Sequence, residues 1–267
     1  MENQLMRFDG QVAVVIGAGP GLGATLGRRF AAAGASVAIV ARSAASLEAA
    51  GAAARKAGGE VLTIAADIAS LADARRMADA VIARFGRVDV LVNTAFPGLP
   101  RLEVLGMDDA ALEAWRKCVE IGGFGTLLGC RLLAPHMVRA GRGSIVNLTS
   151  LSSRKATAGR SEYASGKAQA HQIARSLAAE LGPKGIRVNC VAPGAIASAV
   201  LDRYFESRAK ERGVSVESVR ADYAHEAVLG RVVTEDEVAN AVLFLASDLA
   251  SGITGAVIDV NAGSYLA

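Results

Sequence analysis

The chain has 267 residues, of which 52% are hydrophobic and 4% aromatic, which fits one large α/β domain or two small ones with a core of alanine and aliphatic side chains. Its 29 basic and 26 acidic residues give a net charge of +3 and are mixed along the chain, which excludes the basic patch of a nucleic-acid-binding protein. The three cysteines, Cys118, Cys130 and Cys190, lack metal-ligand spacing, so we predict free thiols in a reducing compartment and no metal site.

The first residues carry Glu2 and Asp9 ahead of a short apolar run, a pattern that differs from a secretory signal peptide. An uncharged run of about 14 residues, 188–201, is broken by Pro193 and Gly194. A membrane-spanning helix needs about 20 apolar residues. We therefore expect a cytoplasmic protein that does not bind membranes.

Short runs rich in Val and Ile alternate with Ala-rich stretches of helical periodicity along the chain. The runs predicted as strands are 12–17, 36–42, 60–67, 88–95, 143–150, 186–194 and 256–263. The predicted helices are 21–35, a helix ending near Lys56, 70–86, 108–139, 162–181 and 235–248. Continuously apolar strands that alternate with helices are typical of a parallel sheet covered on both faces. We therefore predict a single-domain Rossmann fold over residues 1–267, with a doubly wound parallel sheet of about seven strands.

One segment, 199–230, departs from this alternation because it is charged, helical in tendency, and placed between a predicted strand and the last predicted helix. We expect it to form a small helical cap over the open end of the sheet. Tyr204 and Phe205 in this segment either contact the substrate or hold the cap against the core.

The sequence GAGPGLG occupies residues 17–23, directly between the first predicted strand and the first predicted helix. Small residues at such a turn let the backbone approach a pyrophosphate and aim the helix N-terminus at it. At the first turn of an alternating α/β chain, this loop predicts a dinucleotide site. The residues expected to contact the cofactor here are Gly17, Gly21, Leu22 and Gly23.

The second predicted strand ends at Arg42, and no acidic residue occurs between Ala24 and Leu47. A dinucleotide with a free 2′-hydroxyl usually meets an Asp or Glu in this region, whereas a guanidinium can bind a 2′-phosphate through charge-assisted hydrogen bonds. We therefore predict NADP(H) in preference to NAD(H), with Arg42 as the phosphate ligand. Asp67 and its neighbour Ile68 are candidates for contact with the adenine, although Asp67 also suits the N-terminal region of the next helix.

Tyr163 and Lys167 are four residues apart within SEYASGK, so on a helix they share one face. A lysine ammonium about 4 Å away lowers a tyrosine pKa from its ordinary value near 10, before the opposing cost of burial is subtracted. Such a tyrosine can exchange a proton with a carbonyl or an alcohol, while a nicotinamide supplies the hydride. Ser150 ends the fifth predicted strand and can donate to the substrate oxygen, with Ser152 and Ser153 as alternatives.

Together these residues resemble the classical short-chain dehydrogenases/reductases over about 8–263 of the chain. The resemblance is carried by GAGPGLG, by YASGK at 163–167, by Ser150 placed 13 residues before Tyr163, and by APGAIAS at 192–198. It implies hydride transfer between a nicotinamide cofactor and an alcohol/carbonyl pair. It also implies that Lys167 binds the nicotinamide ribose, and that a homotetramer or homodimer packs through the long helices. The further cofactor contacts implied by the resemblance are Asn93, Pro193, Gly194, Ile196 and Ser198.

Two departures from the family pattern bear on this site. The fourth predicted strand ends NTAF instead of the usual Asn-Asn-Ala-Gly, so Phe96 and Pro97 replace a small turn on the nicotinamide side of the pocket. Gly122 stands where the family has an asparagine whose backbone carbonyl, at a helix kink, anchors a water in a proton relay to the lysine. Glycine keeps a carbonyl and tolerates a kink, so we expect an altered relay in an active enzyme.

We interpret the chain as an NADP(H)-dependent oxidoreductase that acts on a small-molecule carbonyl or alcohol. Within the same family, a 3-oxoacyl carrier-protein reductase and a dehydrogenase of an apolar secondary alcohol or cyclic ketone are both open. A catalytically weak nucleotide-binding regulatory protein is an alternative of a different class. Gly122 and NTAF slightly favour that alternative, and the presence of Ser150, Tyr163 and Lys167 counts against it.

Overall fold

The computed structural model describes residues 6–96, 98 and 103–266. Within these residues, one parallel sheet has the strand order β3-β2-β1-β4-β5-β6-β7. The strands are β1 (Val12–Ile16), β2 (Ser36–Ala41), β3 (Val61–Ala65), β4 (Val90–Asn93), β5 (Gly143–Leu148), β6 (Ile186–Pro193) and β7 (Val257–Val260). The predicted doubly wound sheet of seven strands is confirmed. The strands are shorter than the apolar runs, because the last residues of several runs leave the sheet and form loops at its carboxyl edge.

Helices cover both faces of this sheet. They are α1 (Leu22–Ala32), α2 (Ala44–Lys56), α3 (Leu71–Phe85), α4 (Asp109–Val119), α5 (Thr126–Ala140), α6 (Ser161–Leu181), α7 (Ala199–Arg212), α8 (Val216–His225) and α9 (Glu235–Ala246). Six of them begin where a side-chain oxygen accepts a hydrogen bond from a backbone N–H of the first turn, which fixes the start of a helix. The capping residues are Ser43, Ser70, Asp108, Ser198, Ser215 and Thr234.

The strand order reverses at β1 and β4, which are neighbours in the middle of the sheet. The last residue of β1, Ile16, pairs with Val40 of β2 on one side and with Asn93 of β4 on the other. At such a reversal the loops after the two strands lead to opposite faces and leave a crevice between them. The GAGPGLG loop and the loop that begins at Thr94 therefore flank one crevice at the carboxyl edge of the sheet.

The core lies in two layers, one on each face of the sheet. On one face, Leu26 and Phe30 of α1 pack with α2 and α9. On the other face, Met77 of α3 and Leu133 of α5 pack with α6. Both layers consist mainly of Val, Ile, Leu and Ala, as the low aromatic content predicts.

A continuous helix runs from Asp109 to Ala140 and consists of α4, a π-helical turn at Glu120–Gly125, and α5. The helix has 32 residues and contains an 18-residue window with a mean hydropathy of 1.2, so it is long and apolar enough to cross a membrane, but 56% of that window is buried inside the fold. It also packs against α3 and α6. These contacts are those of a core helix of the α/β fold.

The segment that interrupts the alternation forms α7 and α8. The two helices pack on each other through Phe205, Ala209 and Val219, with Tyr204 and Tyr223 beside them. This small core joins α7 to α8 instead of joining the cap to the sheet. The predicted helical cap is confirmed.

Candidate active site

The glycine loop has the backbone that its sequence predicts. Gly17 and Gly21 have φ values of 96° and 112°, which only glycine adopts readily. A Cβ on Gly17 would lie 2.3 Å from the backbone nitrogen of Ala95, and one on Gly23 would lie 2.5 Å from the carbonyl oxygen of Gly17. Gly19 instead has open space at its Cβ position and lines a cavity. The loop therefore exposes backbone at the N-terminus of α1, where an anion is favoured.

A cavity of about 440 Å³, called here the adenosine-side cavity, lies between this loop and the ends of β2 and β3. Arg42, Asp67 and Ile68 are in its wall. Arg42 is exposed and makes no ion pair with any residue that the structure describes. Asp67 accepts a hydrogen bond from the Ala69 backbone nitrogen at 3.0 Å, so its carboxylate also shapes the turn before α3. Leu22 packs against the core and does not reach this cavity.

Ser150 follows β5, and Tyr163 lies in the first turn of α6. The Ser150 hydroxyl lies close enough to the Tyr163 hydroxyl to lower the pKa of the tyrosine by hydrogen bonding, and it accepts a hydrogen bond from the backbone nitrogen of Ser152 at 3.2 Å. Ser153 donates its own hydroxyl to the carbonyl oxygen of Ser150 at 2.7 Å. Of the three candidate serines, Ser150 is the one whose hydroxyl meets the tyrosine.

Lys167 lies one turn of α6 after Tyr163 and is 5% exposed. Its Nζ donates to the carbonyl oxygen of Leu148 at 2.8 Å. The ring of Phe96 contacts both side chains, because its centroid lies 4.5 Å from that of the Tyr163 ring and 5.2 Å from the lysine Nζ. Burial lowers the pKa of Lys167 to about 8. Pro97, the other substituted residue of this turn, lies outside the described residues.

The electrostatics at Tyr163 differ from the expectation that Lys167 lowers its pKa. Burial raises the pKa of Tyr163, against the smaller lowering effects of its hydrogen bond to Ser150 and of the positive charge of Arg160. The expectation is wrong for this arrangement, because the lysine ammonium bonds to Leu148 and the tyrosine has lost solvent. The tyrosine hydroxyl is therefore protonated at neutral pH.

A second cavity of about 670 Å³, called here the substrate-side cavity, lies between the carboxyl ends of β5 and β6 and the cap. The predicted site residues in its wall are Ser150, Tyr163, Gly194, Ile196 and Ser198. Ser198 caps α7 by accepting a hydrogen bond from the Leu201 backbone nitrogen at 3.3 Å, and it donates to the carbonyl of Ile196 at 3.2 Å. Pro193 ends β6 just before this wall.

Asn93 is a predicted cofactor residue whose side chain lies in neither cavity. Its Nδ2 donates to Asn147 Oδ1 at 2.9 Å and contacts Cys130 Sγ at 3.4 Å, so the amide joins β4 to β5 beneath the site. Its Oδ1 is buried and has no hydrogen-bond partner among the described residues. The side chain therefore supports the floor of the crevice.

The substrate-side cavity also contains side chains that the sequence did not single out. The Arg160 guanidinium lies over the Tyr204 ring at 5.4 Å, and the Tyr223 hydroxyl donates to the Tyr204 hydroxyl at 3.0 Å. The charged residues of the wall are Lys155, Arg160, Arg208, Arg212, Asp222, Glu226 and Arg231. For Arg160 the sequence offers one clue, because this residue lies three positions before the predicted catalytic tyrosine. The sequence holds no equivalent signal for Tyr223 or the charged cap residues, because their place depends on how α7 and α8 fold back over the sheet.

Gly122 lies in the π-helical turn and packs against α6. A Cβ on Gly122 would be 3.0 Å from the Cα of Gly166, so the two helices approach through a pair of glycines. The carbonyl oxygen of Gly122 accepts a hydrogen bond from the Thr126 hydroxyl at 2.8 Å. The expected irregularity of the helix is therefore present, and the Gly122 carbonyl has a side-chain partner within it.

Comparison with known proteins agrees with this geometry. The sequence model of a family described as enoyl-(acyl carrier protein) reductase matches residues 17–265. The short-chain reductase protein NovJ of Streptomyces niveus is 36% identical, with 94% of this chain and 93% of that protein covered. The cis-4-hydroxycyclohexanecarboxylate dehydrogenase of Sinomonas cyclohexanicum is 35% identical, with 96% and 97% covered. A solved 7α-hydroxysteroid dehydrogenase, complexed with NADH and 7-oxo glycochenodeoxycholic acid, has a TM-score of 0.87, 32% identity and 98% coverage of both chains.

A doubly wound parallel sheet with a glycine loop at its point of strand reversal is typical of the dinucleotide-binding α/β enzymes. The chain belongs to the short-chain dehydrogenase/reductase family. Its relatives act on hydroxyl and carbonyl groups and bind nicotinamide cofactors, and the chain is an oxidoreductase of this kind.

Proposed function

We propose that this protein is a single-domain, NADP(H)-dependent oxidoreductase that reduces a ketone, or oxidises the matching secondary alcohol, in the substrate-side cavity. The observation that carries this proposal is that Ser150 and Tyr163 lie together in the wall of that cavity, with Lys167 one helical turn away. In this assignment Tyr163 is the general acid/base, Ser150 holds the substrate oxygen, and Lys167 holds the nicotinamide ribose.

The chemistry of the chain's own residues follows from their protonation. The Tyr163 hydroxyl is protonated at neutral pH and can donate its proton to a carbonyl oxygen in the cavity. The Ser150 hydroxyl can donate a second hydrogen bond to the same oxygen as negative charge develops on it. When bound, the nicotinamide supplies or accepts the hydride. Lys167 can return a proton toward the tyrosine, because its lowered pKa places it near neutrality.

The residues of the adenosine-side cavity fit a dinucleotide with a 2′-phosphate. Gly19 leaves backbone open beside the N-terminus of α1, which suits a pyrophosphate. Arg42 offers an uncompensated guanidinium at the end of β2. One observation argues against NADP(H), because the related 7α-hydroxysteroid dehydrogenase is complexed with NADH. The exposed Arg42, which has no acidic residue near it in the sequence, argues for NADP(H).

For the substrate we propose a cyclic ketone with a polar substituent. The cavity is large enough for a ring, and its cap side is lined by charged groups such as Arg160 and Arg208, which do not suit a purely apolar substrate. The names of the relatives point the same way, since one acts on a hydroxycyclohexanecarboxylate and another is complexed with a 7-oxo steroid acid. A 3-oxoacyl thioester is the second candidate, because the matching family model carries an acyl carrier protein in its description.

We also propose that the chain assembles as a homotetramer or homodimer through the continuous helix of α4 and α5. Leu112, Phe124 and Leu127 on this helix are 54%, 47% and 40% exposed. Large apolar side chains grouped on one surface are typical of an interface between copies. Light scattering after gel filtration measures the mass, and a purely monomeric protein would contradict this assembly.

The proposed activity is tested by following NADPH absorbance with a panel of ketones. The panel contains cyclohexanone, 4-oxocyclohexanecarboxylate, a 7-oxo steroid acid and a 3-oxoacyl thioester. We expect NADPH consumption with at least one cyclic ketone, and slower consumption with NADH. If no ketone or thioester is reduced with either cofactor, the proposed function is wrong.

A further inference from the structure

The side chain of Phe96 stands at the boundary between the two cavities. Phe96 is in the wall of the adenosine-side cavity, whereas its contact partner Tyr163 is in the wall of the substrate-side cavity. Among the residues that the structure describes, none lines both cavities. A dinucleotide that binds in one cavity and reacts in the other has to pass the place where this ring lies.

Three contacts hold the Phe96 region in position. The ring meets the Tyr163 ring edge to face, with an interplanar angle of 88°, and the Lys167 ammonium lies over its face. The backbone of the preceding residue, Ala95, is packed so closely on Gly17 that any side chain at Gly17 would collide with it. The backbone is therefore anchored, and rotation of the Phe96 side chain is the simplest way to open the passage.

We propose that Phe96 occupies the subsite of the nicotinamide ribose, and that its ring must rotate away before the nicotinamide half of the cofactor can bind. This inference rests on the proposed function, which assigns the ribose to Lys167. A ribose hydroxyl needs a donor within about 3 Å to form a hydrogen bond. The aromatic face of Phe96 lies against the Lys167 ammonium in the place where a ribose hydroxyl would bind. The hydrogen bond to Leu148 uses another proton of the same ammonium.

The consequence is that cofactor affinity is reduced by the fraction of molecules in which the ring has rotated. An edge-to-face aromatic pair and a buried cation–π contact both have to be broken. Removal of the ring should therefore tighten NADPH binding by about tenfold. A ligand that lacks the nicotinamide ribose should bind with the same Kd whether or not the Phe96 ring is present.

The test measures equilibrium and stopped-flow binding of NADPH, followed by the fluorescence of its reduced nicotinamide. The variants are Phe96→Ala and Phe96→Leu, with Phe85→Ala as a control because Phe85 is a partly exposed phenylalanine of α3 that lines neither cavity. We expect Kd to fall about tenfold in Phe96→Ala and about threefold in Phe96→Leu, and to stay unchanged in Phe85→Ala. Phe96→Leu keeps an apolar side chain, so it supplies the comparison if the alanine variant does not fold.

Binding of 2′,5′-ADP, measured by calorimetry, is the matched ligand control. It lacks the nicotinamide ribose, so its Kd should be the same in the wild type and both Phe96 variants. If NADPH binds the wild type and the Phe96 variants with equal Kd, the proposal for Phe96 is wrong and the proposed function stands. If 2′,5′-ADP tightens as much as NADPH, Phe96 acts on the whole site and the ribose assignment is wrong. If neither wild type nor variants bind NADPH, both proposals fail.

Discussion

Lys167 is the one buried ammonium of the site, and burial makes it costly for the folded protein. Its pKa falls from 10.5 to about 8 because the surrounding protein solvates the charge less well than water does. A shift of this size corresponds to about 3 kcal/mol of lost stability at pH 7, part of which the bond to Leu148 and the contact with Phe96 offset. A residue that lowers stability in this way is typical of a functional position.

We therefore predict that Lys167→Met stabilises the protein by about 1–3 kcal/mol at pH 7 while it removes activity. Because the folded-state pKa lies below the unfolded one, the wild type gains stability as pH rises from about 8 to 10.5, and the difference between the two proteins shrinks. Urea unfolding at pH 7 and pH 10 measures this, with the exposed Lys56→Met as the control. A Lys167→Met variant that is less stable than wild type at pH 7 would contradict the prediction.

Arg42 is the residue that decides the proposed cofactor preference. Arg42→Ala should weaken NADPH binding by about 10- to 100-fold, because charge-assisted bonds to a phosphate are lost, and should change NADH binding by less than about threefold. Calorimetric titration with both cofactors measures the two effects. Equal losses for NADPH and NADH would show that Arg42 does not hold a 2′-phosphate.

At the scale of residues, the sequence predicts the members of the site better than their interactions. The places of Ser150, Tyr163 and Lys167 follow from strand ends and helical spacing, which are local properties. The raised pKa of Tyr163 does not follow from them, because burial depends on packing between distant segments. Phe96 is visible in the sequence as a departure, but its contacts with Tyr163 and Lys167 depend on how two loops meet.

At the scale of elements, the contact between the continuous helix and α6 sets the floor of the site. The backbones approach at Gly122 and Gly166, where a side chain on either residue would meet the other helix. The Thr126 hydroxyl bonds to the Gly122 carbonyl within the π-helical turn, so the irregular turn retains a partner for its backbone. A side chain at position 122 would therefore require the two helices to move apart.

Gly122→Ala tests this contact. Alanine normally stabilises a helix by about 1 kcal/mol relative to glycine, but here its Cβ would lie 3.0 Å from the Gly166 Cα. We expect a net loss of about 1–2 kcal/mol in the free energy of unfolding, and a larger loss for Gly122→Asn. Gly182→Ala is the matched control, because nothing lies within 4 Å of its Cβ position. A Gly122→Ala protein that is more stable than wild type would show that the helices are not in close contact.

The sequence predicts the regular elements well, because apolar runs of strand and helix periodicity determine them. It places a glycine cluster inside the helix 108–139 and suggests a kink, and the structure has a π-helical turn at Glu120–Gly125. The extra residue in that turn is set by the glycine contact with α6, so the local sequence cannot specify it. The sequence predicts the cap helices, but it does not predict which of their charged side chains line the substrate-side cavity.

At the scale of the whole molecule, the fold brings two cavities to one edge of the sheet. The adenosine-side cavity belongs to the first half of the chain, and the substrate-side cavity is made by the ends of β5 and β6 with the cap. The reversal of strand order at β1 and β4 places these halves side by side. Ser150 and Tyr163 lie in the wall of the second cavity, and Lys167 and Phe96 lie where the cavities adjoin.

The most direct test of the account is the activity of Tyr163→Phe, which keeps the ring and removes the hydroxyl. We expect the rate of ketone reduction with NADPH to fall by about 10²- to 10⁴-fold, because the proton donor is lost. The Kd for NADPH should stay within about twofold of wild type, since the ring packing is kept and Lys167 is unchanged. A variant that reduces the same ketone at near wild-type rate would show that Tyr163 is not the acid of this enzyme.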